Sequence, residues 1–417
     1  MKQRYFLFQL KTFLNNPKNI GLFILTILVS LYFGLISVPN HQVIERVEQR
    51  TIRKEYVDDS VFLKGAQIEV AYAKKPGYNY IPSKGAIDAV NTYPQILRYD
   101  KKMLKALKDK NWQTYTKNSS KHYKYIDHLI FNNGNKNFLY PIEYNHNNNY
   151  LQDGHYGYQR TYHLYNALLL SNKRDHIVLN KNILEERTAL QSIQTSLCGW
   201  TVLIILLIIC FFSSDVITND KKYLTVFETI PLSKRTILWL KTGVIEVGVL
   251  LDLLTAAVII LACIVPRYGF GSFQMNTVAY MGQINYKSIF LVESLGTYYL
   301  QFLVFAALIV FILIRMNILI TLVIRNEYLS GIFVSLFAIS GKVLYFSSGM
   351  GFVYPVLKKL PMTYFTIGDS LNGSLAYMMD TPGWGFNTGI IPLVTLVIII
   401  ELLLFLVTKC KRLQLVE

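Results

Sequence analysis

The feature that most constrains this chain is a set of long stretches without a charged residue. Asn19–Ile44 lies between Lys18 and Glu45, Thr188–Ser214 between Arg187 and Asp215, Ser294–Ile314 between Glu293 and Arg315, and Thr381–Ile400 between Asp380 and Glu401. A helix needs about 20 mostly apolar residues to cross the hydrocarbon of a bilayer. Two further apolar stretches are interrupted: Leu238–Val265 by Lys241, Glu246 and Asp252, and Tyr328–Phe346 by Lys342. Six spans are expected. Composition agrees, with 52% hydrophobic and only 16% charged residues, where soluble globular chains carry roughly 25% charged. Composition and charge argue against an ordinary cytosolic enzyme. The first stretch is long for the apolar region of a secretory signal, and no small-x-small cleavage pattern follows it, so it reads as an uncleaved span.

Basic residues in short loops set orientation. Lys2, Arg4, Lys11 and Lys18 precede span one. Lys221, Lys222, Lys234 and Arg235 lie between spans two and three, Arg325 between four and five, and Lys409, Lys411 and Arg412 in the tail. The opposite short loops hold only Arg267, Lys287, Lys358 and Lys359. Both termini are therefore expected in the cytoplasm of a multi-pass plasma-membrane protein.

Three regions follow. Residues 1–38 form an amphipathic start and span one; Phe6, Leu10, Phe13 and Leu14 share a face, as an interfacial helix requires, or the segment is a disordered basic arm. Residues 39–190 form one large extracytoplasmic insert, and 191–417 carry spans two to six. Helical periodicity at Ile96, Leu97, Met103, Leu104 and Leu107, and again at Tyr162, Leu164, Tyr165, Leu168 and Leu169, makes the insert mainly α with minor β. Ile183–Leu197 reads as a helix running into span two. The insert holds all seven His and none of the four Cys, so it folds without disulfides. About half of the formal charge of +16 falls within it. Charge divided across a membrane in this way does not form one nucleic-acid patch, and the cytoplasmic half suits anionic lipid.

The segment Asp215–Lys241 contains an amphipathic stretch, Tyr223–Ile230, then Pro231, which stops a helix, then Ser233, a plausible N-cap for the next one. It reads either as a short helix docking into a cytoplasmic partner or as an ordinary basic loop. Asp220, Phe227-Glu228-Thr229-Ile230-Pro231-Leu232-Ser233-Lys234-Arg235 and Lys241 resemble the stretch after the second span of type 2 ABC exporter permeases. Leu360-Pro361-Met362-Thr363-Tyr364 followed by Gly373 is similar to that family's stretch before its last span. The resemblance covers the membrane part, about 250 residues, and not the insert. It implies an α-helical integral membrane protein with six transmembrane helices, working as a dimer with a second permease copy or homologue. It implies ABC ATP-binding subunits on separate chains, which hold ATP and Mg, and a coupling surface at Glu228, Thr229, Ile230, Pro231, Leu232, Ser233, Lys234 and Arg235. The chain itself has no G-x-x-x-x-G-K-[ST] loop, so it lacks that device for holding nucleotide phosphates.

Ionisable residues within spans are Glu246, Asp252, Arg315, Lys342 and Glu401. At ~1.5 Å per residue, Asp252 and Lys342 stand at similar depth, roughly 20 Å from the cytoplasmic ends, and Glu246, Arg315 and Glu401 at roughly 10 Å. One Asp252–Lys342 pair and one inner cluster are expected. They serve either as a polar pathway or charge switch, or as pairs holding helices together and side chains snorkelling to the interface. Trp239, Trp384, Tyr298 and Tyr299 suit interfacial belts. The His spacings are irregular for a metal site, and HExxH, CxxC and G-x-S-x-G are absent. No catalytic residue and no resident cofactor or metal is expected. The resulting expectation is an exporter permease that moves a bulky or amphipathic substrate, such as a peptide, an antibiotic or a lipid-linked molecule. The alternatives are a sensor whose insert detects a peptide or envelope ligand, and a scaffold for cytoplasmic partners.

Overall fold

The computed structural model describes residues 1–76, 80–145, 149–218, 231–284, 287–346, 355–379 and 382–409. In chain order, α1 is Lys2–Leu14 and α2 is Pro17–Tyr32, prolonged by a π turn, Phe33–Ser37, and by Val38–Asn40. Then come α3 (Gln49–Ala73), α4 (Lys84–Lys108), α5 (Trp112–Asp127) and α6 (Tyr150–Asp175). They are followed by α7 (Ala189–Ser196), α8 (Trp200–Ser213) and α9 (Lys234–Tyr268). Strands β1 (Asn276–Ile284) and β2 (Lys287–Ser294) precede α10 (Leu295–Ile324) and α11 (Glu327–Phe346). Two short helices, α12 (Ile367–Leu371) and α13 (Ser374–Met378), lead to α14 (Phe386–Lys409). The chain is mostly helical and divides into two compact units, one of Met1–His41, Ala189–Phe270 and Thr297–Glu417, the other of Gln42–Thr188 and Gly271–Gly296.

In the first unit, among the described residues, four helices are long and apolar enough to cross a membrane: Pro17–Asn40, α9, α10 and α14. A fifth candidate is a bent pair, Lys181–Ser196 with α8, meeting at 55°. The sequence reads Thr188–Ser214 as one continuous run, and the structure breaks it. Gly199, the N-cap of α8, has φ +67°, a left-handed value that L side chains avoid. The sixth expected span, Tyr328–Phe346, coincides with α11, a 20-residue helix that is not among these candidates.

Helix starts follow capping chemistry. Asn16 accepts from Lys18 N, with Pro17 at the first helical position of α2. Ser233 accepts from Thr236 N at the start of α9, the cap expected from sequence. The amphipathic α1 packs on α9, and its inward residues match the expected face in part: Phe13 is buried as expected, Tyr5 is buried as well, and Leu14 is exposed. Gly248 of α9 makes this approach possible, because a Cβ there would stand 2.2 Å from the Phe13 ring. Phe13 and Phe23 both contact Phe212 of α8, with centroids 5.7 and 5.2 Å away. Tyr298 and Trp384 are buried rather than placed in a belt, Tyr299 donates to Leu190 O at 2.5 Å, and Trp239 is exposed over nearly half its surface.

In the second unit α3, α4, α5 and α6 pack in sequence, each on the next. Ser83 and Asn111 cap α4 and α5. The periodic apolar positions turn inward, with Ile96, Met103, Leu164, Tyr165 and Leu168 buried. Ile96, Ile126, Leu129, Ile130, Tyr140, Tyr144 and Tyr158 form one core cluster. The β structure of this unit comes from outside residues 39–190. β1 and β2 form an antiparallel hairpin, with a register irregularity between Tyr280 and Gly282, and it packs on α6. Ser171 Oγ accepts from Asn276 N at 2.9 Å, and His163 stacks on Phe290 at 4.8 Å.

Candidate functional site

The described part of the loop after α8 is held at its root by side chains from other elements of the first unit. Asp215 receives Lys18 Nζ at 2.6 Å and Asn16 Nδ2 at 2.5 Å. Lys18 also donates to Phe211 O at 2.6 Å, at the end of α8. One residue on, Val216 O accepts from Lys241 Nζ at 2.5 Å, and Lys241 is buried in α9. Thr218 donates its hydroxyl to Glu327, the first residue of α11. Three helices thus grip three residues within one turn, Asp215, Val216 and Thr218. A charge at such a position keeps its partner only while the backbone stays in place, since a short ion pair weakens steeply with separation in low dielectric.

Beyond this root, Asp220, Phe227, the amphipathic stretch Tyr223–Ile230 and the coupling residues Glu228, Thr229 and Ile230 lie outside the described residues. Pro231, Ser233, Lys234 and Arg235 are exposed, and Leu232 is half-buried. The Arg235 guanidinium stands 5.9 Å over the Phe405 ring of α14, and Lys409 Nζ stands 4.3 Å from the same ring.

The intramembrane residues sort into three groups. Arg315 of α10 makes a two-pronged pair with Glu401 of α14, at 2.5 Å from Nε and 2.7 Å from Nη2. Its Nη1 donates to Thr242 Oγ1 at 3.2 Å, and its guanidinium lies 4.6 Å over Trp239. Glu246 stands one turn beyond Thr242 on α9, within the electrostatic reach of Arg315. The expected inner cluster is thus drawn together. The expected Asp252–Lys342 pair is not formed. Asp252 accepts from Thr26 of α2 at 3.1 Å, and Lys342 is 3.6 Å from Asp369 of α12, which also accepts from Gly199 N at 3.0 Å. Equal depth gave no shared neighbour: α9 packs on α2, whereas α11 packs on α8 and on the 3-10 turn Pro361–Phe365. That turn buries Tyr364, whose hydroxyl donates to Lys358 O at 2.9 Å, and Gly373 caps α13 with φ +83°.

The sequence reading missed Asn16, Lys18, Asp215, Thr218, Asp369 and Glu327 as partners. Lys18 and Asp215 stand out in the sequence as charges bordering two apolar runs. Opposite charges at the same end of neighbouring spans are the signal that could have paired them.

The second unit concentrates ionisable groups differently. Asp100 of α4 is buried beside Asp59 and Glu55 of α3, and His122 Nε2 of α5 is 3.6 Å from it. Burial, with the two neighbouring acids, raises the Asp100 carboxyl to about 8. Burial and Asp58 raise Asp59 to about 6, and burial lowers His122 to about 4. Asp127 is satisfied by three donors, Tyr140 Oη at 2.7 Å, His155 Nδ1 at 2.8 Å and Gln159 Nε2 at 2.6 Å. Among the described residues no three His, Cys, Asp or Glu side chains are grouped to hold a metal.

No protein-family model, curated protein or solved structure matches this chain.

Proposed function

We propose that this chain is the permease subunit of an ATP-driven ABC exporter in the plasma membrane, with six spans and both termini in the cytoplasm. Separate ATP-binding subunits bind the 215–241 loop and the amphipathic start, and a second permease copy or homologue completes the pathway. The insert lies outside. The observation that carries this reading is the grip on Asp215–Thr218. Asn16 and Lys18, Lys241 and Glu327 tie the root of the loop to α2, α9 and α11. A partner pushing on the loop therefore moves three helices, as a lever must in alternating access. The intact chain, purified from its own cells, is expected to bring an ATPase with it. Asp215→Ala is expected to lower substrate-stimulated hydrolysis at least several-fold while ATPase binding persists. Recovery of the chain with no ATPase overturns the reading.

One observation favours the sensor alternative. The chain passes between the two units at residues 41–42, 188–189, 270–271 and 296–297, so the second unit, insert and hairpin together, is joined to the first by four chain connections. In a sensor, a peptide or envelope ligand on the insert stimulates the ATPase without being transported, and uptake into inverted vesicles separates the two.

A further inference from the structure

The face of α9 that carries Arg235, Trp239, Thr242 and Glu246 repeats at spacings of four, three and four, so these residues form one stripe. α14 presents Glu401, Phe405 and Lys409 at spacings of four. Between the stripes the contacts form a ladder: Arg235 on Phe405, Trp239 on Arg315, and Thr242 and Glu401 on Arg315. The next rung is occupied on one side only. Glu246 is half-buried and has neither a hydrogen bond nor an ion pair among the described residues, yet it lies in the field of Arg315. Two carboxylates therefore compete for one guanidinium whose side chain is 3% exposed.

Leaving a carboxylate unpaired in apolar surroundings is costly, and so is removing a guanidinium from both. An arginine fork has five N–H donors in one plane. It can therefore turn about its Thr242 and Trp239 contacts and pair with either acid. We propose that Arg315 is a two-position element that pairs with Glu401 in the conformation seen here and with Glu246 in a second one, in which α14 has moved away from α9. Its position on the ladder that begins at Arg235 makes it the point where displacement of the loop becomes a change of partner inside the membrane. That consequence rests on the permease reading; the exchange itself does not.

The test uses the full chain in lipid nanodiscs and needs no ATPase. Carbodiimide labelling of Glu246, read by peptide mass spectrometry, is expected in the wild type and reduced several-fold in Glu401→Gln, where Arg315 turns to Glu246. Unchanged labelling overturns the exchange. A double-mutant cycle gives a second readout. Glu246→Gln is expected to be nearly silent alone. Added to Glu401→Gln, it is expected to lower Tm by roughly 3 °C or more beyond the sum of the single changes. Equal shifts in both backgrounds overturn the exchange as well. Recovery without an ATPase sinks the permease reading and leaves both measurements standing, whereas unchanged labelling with the ATPase bound sinks only the exchange.

Discussion

The acids around Arg315 in the first unit and around Asp100 in the second meet burial by opposite means, although the second unit also holds a paired Arg160–Glu186. In the membrane unit three carboxylates are paired with a cation, Glu401 with Arg315, Asp215 with Lys18 and Asp369 with Lys342, whereas among the described residues Asp252 has only the Thr26 hydroxyl. In the second unit Glu55, Asp59 and Asp100 gather at the packed helices α3 and α4, and His122 stands 3.6 Å from Asp100. There, neutrality comes from the proton: burial keeps Asp100 protonated and His122 unprotonated at pH 7. Where water can reach the group and exchange protons, protonation is an inexpensive answer to desolvation. For Glu401, Asp215 and Asp369 the chain instead supplies a cation. The contrast predicts that the membrane unit responds to loss of a partner and the second unit to pH.

The largest effect expected is from Arg315→Met. It leaves Glu401 uncompensated and should destabilise the chain by about 3–5 kcal/mol, seen as loss of folded protein in detergent. Adding Glu401→Gln should restore much of it. If the single change is neutral, the membrane unit does not depend on its ion pairs and the contrast breaks.

Next is the pH response of the second unit. The Asp100 carboxyl is raised in the folded state, so its contribution is complete below the unfolded value near 4 and is lost as pH rises through about 8. His122 is lowered, so its contribution is complete above about 6.5 and lost as pH falls toward about 4. Between pH 6.5 and 8 only the Asp100 slope acts between these two, and stability should fall as pH rises, by at most about 2 kcal/mol. Thermal unfolding followed at Trp112, the insert's tryptophan, measures it, and Asp100→Asn should flatten the slope.

A smaller effect is expected from Gly248→Ala. The new methyl meets the Phe13 ring, and the overpacking should cost about 1–3 kcal/mol. It should free α1 from α9, making a cysteine placed at Tyr5 reactive to maleimide. The smallest is Ser233→Ala, which removes the cap of α9 and should cost about 1 kcal/mol or less at this exposed position.

How much the sequence disclosed follows the same division. Apolar runs announce helices because lipid forces each backbone to satisfy itself, so Pro17–Asn40, α10 and α14 fall close to charge-free stretches and α9 on an apolar stretch interrupted by three charges. Ser233 was readable as a cap because capping is local. Partners were less readable. Depth along a helix placed Asp252 level with Lys342, but depth carries no information about which neighbour a helix faces. The bend at Gly199 was hidden because a glycine in an apolar run is usually helical, and its φ depends on Asp369, distant in sequence, receiving its N–H. The hairpin was missed although Val278 and Tyr280 alternate with polar or small neighbours.

That hairpin also sets an order of assembly. Its partner helix α6 ends at Asp175, and β1 begins at Asn276. A ribosome adding about 5–20 residues per second therefore leaves α6 without its hairpin for roughly 5–20 s, while α7, α8 and α9 are made. Tyr156, His163, Ala167 and Ser171, among the α6 residues that meet β1 and β2, wait uncovered through that interval. The second unit cannot finish folding until three more helices have been delivered, so failed delivery of any of them should leave that face of α6 bare, a signal by which the cell's quality control can recognise an incomplete chain.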